Sequence, residues 1–204
     1  MISIIDYGAG NLGSIANMLR KLGNPGIITS SADDIAKADK LILPGVGNFD
    51  YGMSKLQQSG LIEVLNDKVL NDKIPVLGIC LGAQLMTKKS EEGKLPGLGW
   101  FDAEVKKFSF PADQINLRIP HMGWNYVTVQ KQTLLTKDLP EESKYYFVHS
   151  YYIHANTPED VMLTTNYYND FASALNHDNI YALQFHPEKS HKYGLKIFQN
   201  FLSI

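Results

Sequence analysis

The sequence predicts an α/β fold: a mostly parallel central sheet flanked by helices, with extra antiparallel strands in its second half. Three observations carry this expectation. In the first half, short apolar runs alternate with segments of helical periodicity. The loops closing three of those runs, DYGAGN, PGVGNFD and GICLG, are rich in glycine, as backbone that approaches a ligand closely must be. From residue 99 onward the pattern changes to shorter alternating segments with tight turns.

Taken in order, residues 2–5 form a first strand, since their apolar run has no basic lead and is interrupted by Asp6, unlike a secretory leader. A helix over residues 12–22 follows and is stopped by Gly23. Residues 27–29 make a second strand, and SADDIAKA a short helix with Ser31 as N-cap. KLILPG is a third strand, ended by Pro44 and Gly45. A helix over 62–70, a strand over 75–79 and a helix over 81–88 complete the alternating half. The second half reads as strands at AEVKKF, NYVTV, YYFVHSYYI, VMLTTNY, FASALNH and IYALQF, closed by a helix over 192–202. No repeat, linker or composition shift divides the chain, so one domain over residues 1–204 is expected.

The formal net charge is −2, with no block of like charges, so neither nucleic acid nor a membrane surface is an expected partner. No apolar run approaches the roughly 20 residues that span a bilayer. A single cysteine fits a reducing compartment, and a soluble cytoplasmic protein is expected. GAGNLG matches a dinucleotide-loop pattern, but no Asp or Glu closes the next strand and no Lys-Ser/Thr pair follows, which argues against a nucleotide site.

That one cysteine, Cys80, lies in Gly-Ile-Cys-Leu-Gly at a strand-to-helix junction. The pentapeptide fits two roles: a small buried hydrophobe at a strand end, or a nucleophile on a strained turn whose flanking glycines keep strand and helix from clashing. A helix starting at residue 81 points its first N–H groups back at the sulfur, a favourable place for negative charge. A nucleophile needs a base with an orienting partner. Of the six histidines, His154, His177 and His191 lie in polar stretches, whereas His186 stands just beyond an apolar strand with Glu188 two residues on. In an extended segment those two face the same side, and Pro187 disfavours the helical region for His186. Donors for an oxyanion are available from the Leu81 N–H and from the loop of Gly45, Val46 and Gly47.

The ordered set PGVG, GICLGAQ, PHMGWN, FVHSYY and QFHPEKS resembles the class I (triad) glutamine amidotransferases. More narrowly it is similar to the glutaminase subunits of imidazole glycerol phosphate synthase, from IIDYGAGNLGSI to FQNFL. The resemblance implies a flavodoxin-like core and a Cys80–His186–Glu188 triad that hydrolyses L-glutamine without metal or cofactor. It implies substrate contacts from Gln84, Glu92 and the backbone of His149, Ser150 and Tyr151. It also implies a heterodimer with a (β/α)8 cyclase partner, met through Asn11, Asn48, His121, Trp124, Tyr146 and Lys189. Ala83 and Asp102-Ala103 depart from the family's usual residues. They leave a second acceptor open, since a paralogous branch supplies ammonia to sugar amidotransferases of surface-polysaccharide synthesis.

Overall fold

Five short apolar segments pair side by side in one direction to build the centre of the molecule. A computed structural model describes residues 1–111 and 117–204. In chain order the first elements are β1 (Ile2–Ile5), α1 (Leu12–Lys21), β2 (Ile27–Thr29), α2 (Ala32–Ala36) and β3 (Lys40–Leu43). Then come α3 (Phe49–Gln58), α4 (Ile62–Asn66), β4 (Val76–Ile79), α5 (Leu81–Leu85) and β5 (Lys89–Ser90). The second half holds β6 (Ala103–Lys107), β7 (His121–Tyr126), β8 (Thr128–Val129), β9 (Lys144–His149) and β10 (Tyr151–Ala155). It ends with β11 (Val161–Tyr167), β12 (Asn169–His177), β13 (Ile180–Leu183) and α6 (His191–Ser203).

The parallel strands lie in the order β2-β1-β3-β4-β13, which is the flavodoxin-like arrangement with β13 as the fifth strand. Every residue of β1, β4 and β13 is buried, because helices cover both faces of a parallel sheet and leave no solvent side for polar residues. β12 joins β13 antiparallel and extends the sheet through β10 and β6 to β5, while β11 pairs with β12 and β8. β7 and β9 form a separate antiparallel ribbon. Since ligands bind outside the carboxyl ends of parallel strands, the loops after β1, β3, β4 and β13 frame the site. Among the described residues no helix is long and apolar enough to cross a membrane.

Local chemistry explains most boundaries. Gly23, at φ 77°, ends the first helix with its N–H on the Arg20 carbonyl. Ser31 Oγ accepts the Asp34 N–H and caps α2. Several expectations need correction. The segment 49–58, not read as an element, is helix α3, with Asn48 Oδ1 capping Tyr51 N–H and Phe49, Met53 and Leu56 on its buried face. The helix over 62–70 is a short α-helix running into a π-helical turn at Asp67–Asn71. The helix from residue 81 stops at Leu85, because the Thr87 hydroxyl takes the Gln84 carbonyl and turns the chain into β5. YYFVHSYYI is two strands that part at Ser150, β9 joining the ribbon and β10 the main sheet. NYVTV likewise breaks at Val127, between β7 and β8.

The buried Asn200 Nδ2 ties α6 to the segment between β8 and β9 by donating to the Leu135 and Lys137 carbonyls at 2.8 and 2.7 Å. Asn200→Ala leaves both acceptors without this donor and is expected to destabilise the fold by about 1–3 kcal/mol, measured by chemical denaturation. A loss below about 0.5 kcal/mol, the lower end for a single hydrogen bond, would contradict this role.

Candidate active site

Cys80 follows β4 directly and caps α5 with φ 54° and ψ −111°. This backbone region costs a non-glycine residue about 1–3 kcal/mol. The turn is held from both sides: Cys80 N–H donates to Leu183 O on β13 at 2.7 Å, and Gln84 N–H to Cys80 O at 3.1 Å. The flanking glycines are required by space. A Cβ at Gly78 would lie 2.7 Å from the Met86 thioether and 2.8 Å from Ala83 Cα. One at Gly82 would lie 1.9 Å from the Leu43 carbonyl oxygen.

His186 lies just past β13. Its N–H donates to Tyr146 O at 2.9 Å. The Ser190 hydroxyl donates to His186 O at 2.6 Å while accepting Tyr146 N–H at 3.0 Å, which fixes the histidine backbone against β9. The imidazole Nδ1 stands 2.8 Å from Glu188 Oε1, with both side chains buried. His186 is extended as expected, but Glu188 reaches back from a 3-10 turn, Pro187–Lys189, rather than from a continuing extended segment. Burial works against charge on His186. The Cys80 negative charge and hydrogen bond, with those of Glu188, override it and raise the imidazole to about 10.

Cys80 and His186 open on a cleft of about 490 Å³ that also gathers Asn11, Val46, Gly47, Leu81, Gln84, Glu92, His149, Ser150, Tyr151 and Lys189. A larger cleft of about 860 Å³, beside Ile62 and Asp67, has neither cysteine nor histidine in its lining. In the Cys80 cleft the Gln84 side chain is buried, its Nε2 donating to Tyr151 O and Gln184 Oε1, each at 3.1 Å. Glu92 Oε2 accepts the Phe49 N–H at the start of α3 at 2.9 Å, which anchors a carboxylate in the wall.

The oxyanion donors depart from expectation. Leu81 N–H donates to Gly45 O at 3.3 Å, so the loop meets this amide with an acceptor. Tyr7 supports that arrangement: its hydroxyl donates to Pro44 O at 2.7 Å, and a Cβ at Gly45 would come within 2.6 Å of it. Burial first, then the Cys80 charge, raises the Tyr7 pKa, keeping this donor protonated.

A family model described as glutamine amidotransferase class-I matches residues 3–204. The chain belongs to that family. The imidazole glycerol phosphate synthase subunit HisH 2 of Methanococcus maripaludis is 53% identical over 202 residues, covering 99% of this chain and 98% of the relative. The protein of the same name from Pseudomonas aeruginosa is 46% identical over 204 residues, the full length of both. Among solved structures, one titled simply as a glutamine amidotransferase superposes with TM-score 0.77 at 17% identity, covering 99% of this chain and 97% of that one, which speaks for the fold.

In this glutamine amidotransferase the residues expected at a partner interface divide. Asn11 and Asn48 are exposed, and Lys189 Nζ sits 5.7 Å over the Tyr146 ring. Trp124 is 42% exposed, lies opposite Tyr146 in the ribbon and stacks on His191 at 5.5 Å. His121 differs: it is 3% exposed on the inner face, hydrogen-bonded to His149. Parity gives the reason, since residues three apart in a strand point to opposite faces. Sequence reasoning gave no role to Tyr7, Val148, Gln184 and Ser190, although Gln184 and Ser190 are the ends of the QFHPEKS segment already singled out.

Two outcomes follow from this geometry. Gly82→Ala forces Cβ into the Leu43 carbonyl and is expected to cost roughly 1–3 kcal/mol or more, read from the denaturation midpoint; a neutral effect would refute the close approach. For His186 the folded pKa exceeds the unfolded value near 6.5. Its contribution to stability is therefore complete below about 6.5 and disappears as pH rises toward about 10. An NMR titration is expected to show the imidazolium persisting well above pH 6.5, with an earlier midpoint in Glu188→Gln. A midpoint near the ordinary value of about 6.5 in both would remove the electrostatic account.

Proposed function

We propose that this chain is the glutaminase subunit of an imidazole glycerol phosphate synthase. It hydrolyses L-glutamine to glutamate and ammonia, and passes the ammonia to a (β/α)8 cyclase subunit. The observation that carries the reading is the strained cysteine at the floor of a cleft, beside a buried His186–Glu188 pair. The names of the full-length relatives, at 53% and 46% identity, support the pathway.

In the proposed reaction the Cys80 sulfur attacks the carboxamide carbon of glutamine, and the C–N bond breaks as His186 protonates the departing ammonia. Water, giving its proton to His186, then attacks the thioester; the C–S bond breaks, releasing glutamate and restoring the cysteine. Glu188 holds the imidazole orientation and stabilises its positive charge. Gln84, Glu92 and the backbone of residues 149–151 bind the substrate, Glu92 through the α-ammonium group. Leu81 and residues 45–47 supply oxyanion donors once the Leu81 N–H is released from Gly45. That requirement supports low activity for the isolated subunit.

We assign the chain as one amidotransferase domain over residues 1–204. The face carrying Trp124 and Tyr146, with Asn11 and Lys189 in the cleft lining and the exposed Asn48, is assigned to the partner. A cytoplasmic location fits a reaction that needs the lone thiol reduced.

A glutamine-analogue electrophile is expected to leave one covalent adduct, located by peptide mass spectrometry at Cys80. Cys80→Ala is expected to lose the adduct and about 10³-fold or more of the hydrolysis rate, while retaining partner binding. Glu188→Gln is expected to lower the rate about 10²–10⁴-fold. Absence of an adduct, both for the chain by itself and for its complex with the cyclase, would sink the reading.

A further inference from the structure

Behind the cleft, a hydrogen-bond chain runs from β10 through a buried histidine pair to the outer ribbon, and its polarity can be read atom by atom. The Asn125 amide is fixed at both ends: Oδ1 accepts Tyr126 N–H at 2.8 Å, and Nδ2 donates to Asn166 O at 2.9 Å. Nδ2 is therefore also the donor toward His121 Nε2, 3.2 Å away. At the far end His149 Nδ1 lies 2.8 Å from Tyr151 O, which can only accept, so that nitrogen carries the proton. Between them His121 Nδ1 and His149 Nε2 are 3.0 Å apart. Only one proton arrangement satisfies every contact: each ring has Nδ1–H and a bare Nε2. An extra proton on either Nε2 would set N–H against N–H. Burial agrees, holding His121 near 4 and His149 near 3, with the charges of His121 and His186 also disfavouring protonation of His149.

The chain ends on a wall of the proposed substrate site. Tyr151 O accepts from both His149 Nδ1 and Gln84 Nε2, and His149 and Tyr151 both line the cleft. His121 itself is wedged between the rings of Phe147 at 4.8 Å and Tyr167 at 4.0 Å, so its orientation is set by packing. We propose that His121 is a positioning residue for the glutamine site: its Nδ1–H holds the bare Nε2 of His149, joining the Tyr151 carbonyl in selecting the tautomer, and so orients that ring, the Tyr151 carbonyl and the cleft wall at 149–151. The inference rests on reading the cleft as the glutamine site.

The test uses the chain in complex with the cyclase. His121→Phe keeps the stacked ring and removes both polar atoms. It is expected to raise KM for glutamine about tenfold, the effect of one hydrogen bond, with kcat within about threefold. His121→Asn, which returns a donor near the Nδ1 position, is expected to recover most of that loss. Nitrogen-15 NMR of the isolated chain supplies the second readout: His149 shows the Nδ1–H tautomer in the parent and a larger Nε2–H share in His121→Phe, where only the Tyr151 carbonyl still selects Nδ1–H. If His121→Phe does not fold, Asn125→Leu breaks the outer link, with an expected two- to threefold rise in KM. Unchanged KM and tautomer in a folded variant overturn the proposal, as does a fall in kcat at constant KM. A parent that fails to hydrolyse glutamine defeats the cleft assignment instead, and the tautomer measurement then decides whether His121 controls His149.

Discussion

The backbone of Cys80 sets the terms for everything around it. A cysteine at φ 54° does not hold that conformation on local preference, so neighbouring elements must impose it. β4 lies between β3 and β13, and Cys80 N–H is taken by Leu183 on one side. On the other, α5 is pressed so close to β3 that Gly82 has no room for a methyl group. The pressure continues outward: a Cβ at Gly52 of α3 would meet Leu81 at 2.9 Å and Leu85 at 3.3 Å. Glycines at 45, 52, 78 and 82 are thus consequences of a single requirement. The sulfur must stand at the end of a buried strand yet open into a cleft.

The electrostatic counterpart is a pair of histidines whose environments push them apart, a common mark of acid–base division. His186 faces Cys80 and Glu188 and goes up to about 10, whereas His149 is buried against a carbonyl and another imidazole and goes down to about 3. Had both been chargeable in the same range, each would suppress the other and the proton would be shared. The carboxylate at 188 and the donor at His121 settle which ring carries it.

Much of this was legible in the residues, and what was not has physical causes. Continuous apolar runs identified the parallel strands, because a strand covered on both faces has no reason to alternate. GICLG and FHPE singled out Cys80, His186 and Glu188, which the structure gathers at one cleft. Helix α3 escaped notice because Gly52 and its polar residues dilute a ten-residue apolar stripe. The parting of YYFVHSYYI at Ser150 depends on which partner each half finds, and pairing between strands distant in sequence leaves no local trace. His121 was assigned to the wrong face by its place in PHMGWN, although counting parity against Trp124 would have separated the two. The hydrogen bond from Leu81 to Gly45 is a backbone orientation, and two glycines in a loop allow either one.

That last feature bears on how such a site can be kept quiet. The Leu81 amide is held at 3.3 Å, a long bond worth about 0.5–1.5 kcal/mol net. The Tyr7 hydroxyl, at 2.7 Å from Pro44 O, adds a second restraint of similar size on the same loop. Together they favour the occupied arrangement by a margin that a ligand could reverse with modest differential affinity, since about 1.4 kcal/mol moves a population tenfold. Two ordinary hydrogen bonds thus leave the orientation of the loop within reach of a binding event of modest strength.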